Sequence, residues 1–381
     1  MSSPEVRRNI FVLSLCVALS ASAMSLIFTV AAVIGYSLAT DKSLSTLPIA
    51  FMMIAMMAMT APSAMVMAKF GRRFGFWMGS GIAMLGALSG MGAVYYSNFW
   101  LLCVACACIG AGNAIAMQYR FAAAEAAPPE FRARAISYTM LGGVASAFIG
   151  PNLASFARDW FETVPFLGTF VALIGLQVLL IIAIGQLRLP DVRGVKHVEP
   201  ARALKTVLGQ PAIIIAIFAG ALGYAVMSFV MTATPLAILD CDYVFGDAAF
   251  IIQWHVVGMY APGFIQTGAI LNFVCLAVAL SGEDLLANFW VSLVILGIAW
   301  NFMFVGATTF LTENYRPSEQ ARVQAINEFV VFGTVAIGSL SAGTIYAASG
   351  WITLLYSAAL PVGLVLLVVS VYALRRPRQM A

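Results

Sequence analysis

Charge is the scarcest commodity in this chain. Only 9% of its 381 residues are Asp, Glu, Lys or Arg, against about 25% in a soluble globular domain. Histidine occurs only twice. Clustered carboxylates are missing, which argues against a dedicated metal-ion carrier. A GxxxxGK[ST] phosphate loop is missing too, which leaves an ion or solute gradient as the energy source for any transport. There are no rings of repeated charge and no filter-like glycine loops, as a channel would need. No nucleophile sits beside a base and no His/carboxylate pair falls at helical spacing, so a membrane-embedded enzyme has nothing to work with. The net charge of +4 is not a nucleic-acid signal, because the basic residues lie in short turns between apolar runs. No small-residue cleavage site follows the first apolar run after MSSPEVRRN, so that run reads as a retained helix.

What remains is apolar. Hydrophobic residues make up 62% of the chain and its mean hydropathy is +0.95. This is the composition of a polytopic all-α membrane protein. A span takes ~20 apolar residues, so with short loops the chain holds about a dozen. Helices are expected over 10–38, 47–67, 76–96, 100–121, 135–156, 166–187, 212–239, 289–311, 323–347 and 351–374. The second is methionine-rich and contains Pro62; the third carries Gly86 and Gly90 at the spacing that lets helices pack closely. The only long polar segment runs from Arg188 to Gln210. It divides the chain into a six-helix bundle (1–188), a linker (189–210) and a second bundle (211–381). Five of the six cysteines fall in apolar runs. Cys103-x-x-Cys106-x-Cys108 reads as small residues packed in a helix, since no His or carboxylate lies near to complete a metal site.

The two bundles echo one another. Glu125, Pro129, Arg132 and Arg134 precede Ala135-Ile136-Ser137; Glu313, Pro317 and Arg322 precede Ala325-Ile326-Asn327. Ala61-Pro62-Ser63 and Asn98-Phe99-Trp100 return as Ala261-Pro262-Gly263 and Asn288-Phe289-Trp290. Two echoes in the same order imply duplicated halves, the construction of many secondary transporters. The region 248–280 breaks the correspondence. It carries no charge except on His255, and as one helix it would be ~50 Å long against a membrane core of ~30 Å. It is expected to form two shortened helices, the eighth and ninth, broken near Gly263–Gly268.

Basic residues collect on the cytoplasmic side. With the N-terminus inside and the spans alternating, all but Lys42, Arg120 and Arg158 of the 20 basic residues fall there. Both termini are then cytoplasmic and the span count is even. The expected setting is the inner membrane of a cell.

Two six-helix halves, a basic central loop and a basic turn after the second helix resemble the major facilitator superfamily, over nearly the whole chain. AMVMAKFGRR (64–73) is similar to its loop motif, with Ala64 where a Gly is usual and Ala68 where an Asp is usual. Loss of that acid puts the usual charge lock between helices in doubt. Gly142-Gly143 and Gly150-Pro151 resemble part of the motif of proton antiporters. QYRFAAAE (118–125), MTATPLAI (231–238), QWHVVGM (253–259) and WNFMFVGATTFLTENYRP (300–317) are similar to a bacterial subgroup, with riboflavin-type vitamin transporters as candidate relatives. The resemblance implies a 12-helix fold of two pseudo-symmetric six-helix bundles. In it helices 1, 4, 7 and 10 line a central cavity. It further implies a secondary transporter working by alternating access, coupled to protons, monomeric, without a cofactor. The alternative is a non-transporting membrane scaffold or assembly factor of the same fold.

Ionisable residues inside the membrane are functional candidates. His255, beside Gln253 and Trp254, is read as a proton carrier or substrate ligand; its plainer reading is a neutral histidine hydrogen-bonded in the bundle. Glu328 is read as the coupling acid, or as a structural partner of Arg322 or Arg316. Arg120 is read as holding an anionic group of the substrate, or as snorkelling or pairing with Glu125. Ser25, Asn113, Gln118, Tyr224, Thr232, Trp300 and Asn301 complete the solute pathway, a set that suits a mid-sized organic molecule with hydrogen-bonding edges. Lys69, Arg72, Arg73, Glu125, Arg132, Arg134, Glu313 and Arg322 are read as the cytoplasmic gate, with Glu125 expected to pair with Arg132 and Arg134, and Glu313 with Arg322, when the inside is closed and to part when it opens; the plainer reading is ordinary solvated turns.

Overall fold

The computed structural model describes residues 4–189, 202–259, 265–282 and 285–375. Among the described residues the regular structure is entirely helical. The first half holds α1 (Pro4–Leu38), α2 (Leu47–Phe70), α3 (Arg72–Tyr95) and α4, a Phe99–Glu125 span in two pieces, Phe99–Ala116 and Tyr119–Glu125. It continues with α5 (Arg134–Ala157 as a span) and α6 (Leu167–Gly185). The second half holds α7 (Pro211–Asp240), α8 (Phe245–Gly258), α9 (Ile265–Leu280) and α10 (Leu286–Thr312). It ends in a long helix, Gln320–Arg375, broken at Gly350. We treat its two parts as α11 (320–349) and α12 (351–375).

Nine helices among the described residues are long and apolar enough to cross a membrane, the broken one counted once. The region 248–280 does form two short helices, α8 and α9, of 14 and 16 residues; residues 260–264, including the Ala261-Pro262-Gly263 echo, lie outside the described residues. So does most of the linker, of which the helix Leu204–Leu208 is seen.

Glycine makes two of the turns that the helices need. Gly71 (φ +88°) and Gly350 (φ +76°) adopt the left-handed backbone that other residues resist. Gly71 alone separates α2 from α3, so Arg72 and Arg73, expected in a turn, are already in the first turn of α3. The charge of those side chains suggested a loop, but a helix end at a membrane surface accommodates them.

Lipid offers no hydrophobic drive between helices, so packing depends on small residues that let backbones approach. A Cβ on Gly142 would lie 2.0 Å from the Ser14 carbonyl oxygen, and one on Gly150 2.7 Å from Ser25 Cβ, which seats α5 on α1. Gly79 and Gly112 seat α3 on α4, Gly110 seats α4 on α2, and Gly258 and Gly297 seat α8 on α10. The glycine pairs noticed in α5 are therefore α1 contacts. α1 and α7 are the most buried of the long spans, and the chamber described next lies beside them.

Candidate functional site

The halves meet around a chamber of about 220 Å³. α1 contributes Ser20, Met24 and Ser25; α4 contributes Asn113, Met117 and Arg120; α7 contributes Tyr224, Met227 and Met231. α8 adds Val256 and Met259, with Met56 and Met140 from the first half. Seven methionines therefore line the wall, interspersed with hydroxyls, one amide and one guanidinium. Thioethers are soft and adaptable and make favourable contacts with aromatic faces. Tyr224 is the hub of a ring cluster, edge-on to Trp300 (5.3 Å) and Phe304 (5.2 Å), which are themselves stacked at 5.1 Å.

Arg120 stands where the chamber meets a smaller pocket that holds Glu328, Asn327 and Gln324. Its Nη2 lies 3.7 Å from Glu328 Oε1, an ion pair from one half to the other, too long for a hydrogen bond. Its Nε is buried without a hydrogen-bond partner, and its guanidinium lies 4.8 Å from the centre of the Phe121 ring. Glu328 therefore faces Arg120, not Arg322 or Arg316.

The other candidates divide. Asn113 lines the chamber, and its amide nitrogen reaches only Met56 sulfur, at 3.8 Å. Gln118 sits at the joint of α4, its carbonyl accepting from Phe121 and Ala122 N–H. His255 is fully buried at the tight α8–α10 crossing, with Nδ1 2.8 Å from the Leu293 carbonyl and Nε2 unpartnered. Trp254 packs edge-on to Trp290 and Phe250. Asn301 donates to the Met259 carbonyl across the same crossing region. Thr232 is buried in α7, its hydroxyl without a partner. Gln253 accepts from Asn152 Nδ2, joining α8 to α5 across the halves.

At the end of the molecule rich in arginine, Arg72 forms a bidentate pair with Glu125. Arg132 and Arg134, expected to pair with Glu125 when the cytoplasmic side is closed, are both exposed here. The start of α3 is simply nearer to the end of α4 than the next turn is. It also supplies a lock between helices despite Ala68. Arg73 donates to the Gly185 carbonyl at 2.6 Å and covers the Trp77 ring, and Lys69 lies over Phe70. Glu313 and Arg322 are both exposed.

Two features escaped the sequence. Glu319, 2% exposed, accepts from the backbone N–H, Nε and Nη2 of Arg202 at 2.9, 2.7 and 2.7 Å, and from Arg316 N–H at 3.0 Å. The Arg202 hydrogen bond above all holds its carboxyl at about 2, well below the ordinary value. Its place just before α11, a favoured position for an acid, was the available signal. At the opposite end, rich in aspartate, Thr46 donates to the Ser339 carbonyl (2.6 Å) and accepts from Gly343 N–H (3.2 Å). There too Phe166 and Phe245 meet edge-on from the two halves, with Arg158 over both rings.

The comparisons with known proteins agree on one family. Residues 13–262, more than half of the chain, match the profile of the Major Facilitator Superfamily. The riboflavin transporter RfnT of Brucella anthropi is 36% identical, the match covering 91% of each chain. Two solved structures share the fold. One is a bacterial homolog of the human lysosomal transporter Spinster, inward-facing and occupied (TM-score 0.72, 16% identity, 98% of this chain and 97% of that one). The other is a D-xylose-proton symporter (TM-score 0.74, 12% identity, 97% and 98%).

Proposed function

Because the chain belongs to the major facilitator superfamily, we propose that this multi-pass membrane protein, a secondary transporter and not an enzyme, carries a flavin-like solute across the inner membrane by alternating access, driven by protons. The observation that carries the reading is the methionine-lined chamber between the halves with Arg120 at its edge, 3.7 Å from Glu328. A flat, polarisable ring suits thioether walls and the Tyr224 edge. The acceptor-rich rim of such a ring suits the guanidinium and the Asn113 amide. The 36% identity to a riboflavin transporter supports the same class of solute.

The ion pair supplies a route for coupling. With Glu328 ionised, Arg120 is held towards the second half. A proton on Glu328 removes that attraction and leaves the guanidinium to the solute's oxygens. Proton and solute then favour the same rearrangement, as coupled binding requires. The arginine-rich end, which carries Arg72 and Arg202, is taken as cytoplasmic, with both termini on that side. In this reading α8 and α9 each cross, giving twelve crossings, and the short hydrogen bonds between halves at the aspartate-rich end make this an inward-facing state.

The test is uptake of riboflavin, followed by its fluorescence, into liposomes holding the purified full chain with an imposed pH gradient. The gradient should accelerate uptake, and Glu328→Gln should abolish the acceleration while leaving exchange of internal for external riboflavin. Absence of any riboflavin flux with folded protein would overturn the solute; flux indifferent to the gradient would overturn the coupling.

A further inference from the structure

We infer that a small polar pocket in the wall of the first half is a hydroxyl-binding subsite of the central chamber. The pocket lies between α1, α3, α4 and α6 and has a volume of about 20 Å³, room for one water-sized group. Ser20, Ser80, Asn113 and Gln177 face it, and Gly79 and Gly112 form its floor. It opens on the chamber, because Ser20, Met24, Asn113 and Ala116 line both.

Its chemistry is selective. Gln177 Oε1 is a buried oxygen without a hydrogen-bond partner among the described residues, and the Ser80 hydroxyl meets only the Tyr119 hydroxyl, which also lines the pocket; Ser80 and Gln177 are each 3% exposed. Buried polar groups are nearly always paired, so the free Gln177 oxygen, facing a polar pocket that opens on the chamber, points to a ligand group. Ser20 Oγ already donates to the Val17 carbonyl at 3.3 Å, so it presents lone pairs. Asn113 Nδ2 has only its long sulfur contact and is left to donate. The pocket thus offers two or more acceptors and a donor, with no charge. A carboxylate would meet the Gln177 oxygen unfavourably, and an ammonium would find no acid. A hydroxyl, which donates and accepts at once, fits both its polarity and its size.

The assignment rests on the flavin-like reading of the solute and deepens it. Riboflavin joins a flat ring to a polyhydroxylated chain. The chamber takes the ring among Met227, Met231 and Tyr224, and the pocket takes the hydroxyl at the end of the chain. A site built this way distinguishes solutes by what they lack, since an analogue without the hydroxyl leaves the buried Gln177 oxygen unpaired.

The experiment measures quenching of flavin fluorescence by the purified full chain with two probes. These are riboflavin and lumiflavin, which has the same ring with a methyl group in place of the chain. Gln177→Leu and, separately, Ser80→Ala should weaken riboflavin binding roughly tenfold, about 1.4 kcal/mol, and leave lumiflavin within about twofold of wild type. Equal weakening of both flavins would overturn the subsite, since the pocket would then be structural. Riboflavin binding unchanged in both variants would also overturn it, with the pocket holding water only. Wild-type protein that binds neither flavin would overturn the solute class itself, and is told apart because it needs no variant. If Gln177→Leu does not fold, Ser80→Ala, which only removes an oxygen, gives the same readout.

Discussion

The interface between the halves is built differently at its two ends. At the aspartate-rich end it is tight and held by neutral hydrogen bonds and ring contacts: Thr46 is bonded to the backbone of α11, Asn152 to Gln253, and Phe166 lies against Phe245 beneath Arg158. Beside the chamber it is charged and loose, with Arg120 and Glu328 at 3.7 Å. Neutral hydrogen bonds between backbone and hydroxyl do not respond to protons, whereas a carboxylate–guanidinium pair does. The difference separates two tasks. On the proposed function, the tight end would set how closely the halves can meet and the loose pair when they part.

Crowding the tight end should have the largest effect. A Cβ on Gly343 would fall 2.3 Å from Thr46 Oγ1 and 3.1 Å from the Ser43 carbonyl. Gly343→Val should therefore hold that end open. Overpacking costs about 1–3 kcal/mol, or roughly 5- to 150-fold in the closed population. A cysteine placed beside Thr46 should become reactive to a membrane-impermeant maleimide, and riboflavin transport should fall by a similar factor. Unchanged labelling would mean that this end does not gate.

His255→Ala offers a sharper contrast and a smaller effect. The ring touches the Leu293 carbonyl at a helix crossing and does not line the chamber. The variant should lose about 1–3 kcal/mol of stability, the usual range for a buried hydrogen-bonding group. Transport per folded molecule and its pH profile should stay within about twofold. A shifted pH profile would restore His255 to the proton path.

The smallest effect is expected at Glu319, outside the spans. Its carboxyl titrates at about 2 in the folded protein against an ordinary 4.5. A depressed value means that the Arg202 clamp contributes fully above pH 4.5 and is lost as pH falls through about 2. In thermal unfolding in detergent, the gap between wild type and Glu319→Gln should be constant from neutral pH down to about 4.5 and close towards 2. A gap that persists at pH 2 would show that hydrogen bonding without charge suffices.

The helices were legible because lipid demands long apolar runs, and even the break within 248–280 follows from length alone. Partners across the fold were not. Glu125 finds Arg72, 53 residues away, and Glu328 finds Arg120 in the other half, while neighbours in sequence suggested Arg132, Arg134 and Arg322. The site was half legible for a related reason. α8 carries Gln253, Trp254 and His255 in succession, pointing round more than half of the helix, so its pattern does not fix which side faces the chamber. Val256 and Met259, one turn apart, line it, while His255, only about 40° from Met259 on an ideal helix, packs against the Leu293 carbonyl of α10 instead. Ser80 and Gln177 sit on α3 and α6, outside the set of helices that the family resemblance places at the cavity, so a reading by position would not look there.

The chamber wall has a chemical liability as well as a shape. Seven methionines face it: Met24, Met56, Met117, Met140, Met227, Met231 and Met259. Peroxide converts a thioether to a sulfoxide, a polar and chiral group that no longer packs against an apolar ring. Enzymatic repair needs access to the oxidised sulfur, and these sulfurs lie deep between the halves. If the chamber holds the solute as proposed, oxidative injury would therefore accumulate at the binding site, and carrying capacity would decline with exposure to oxidants before the fold itself is lost.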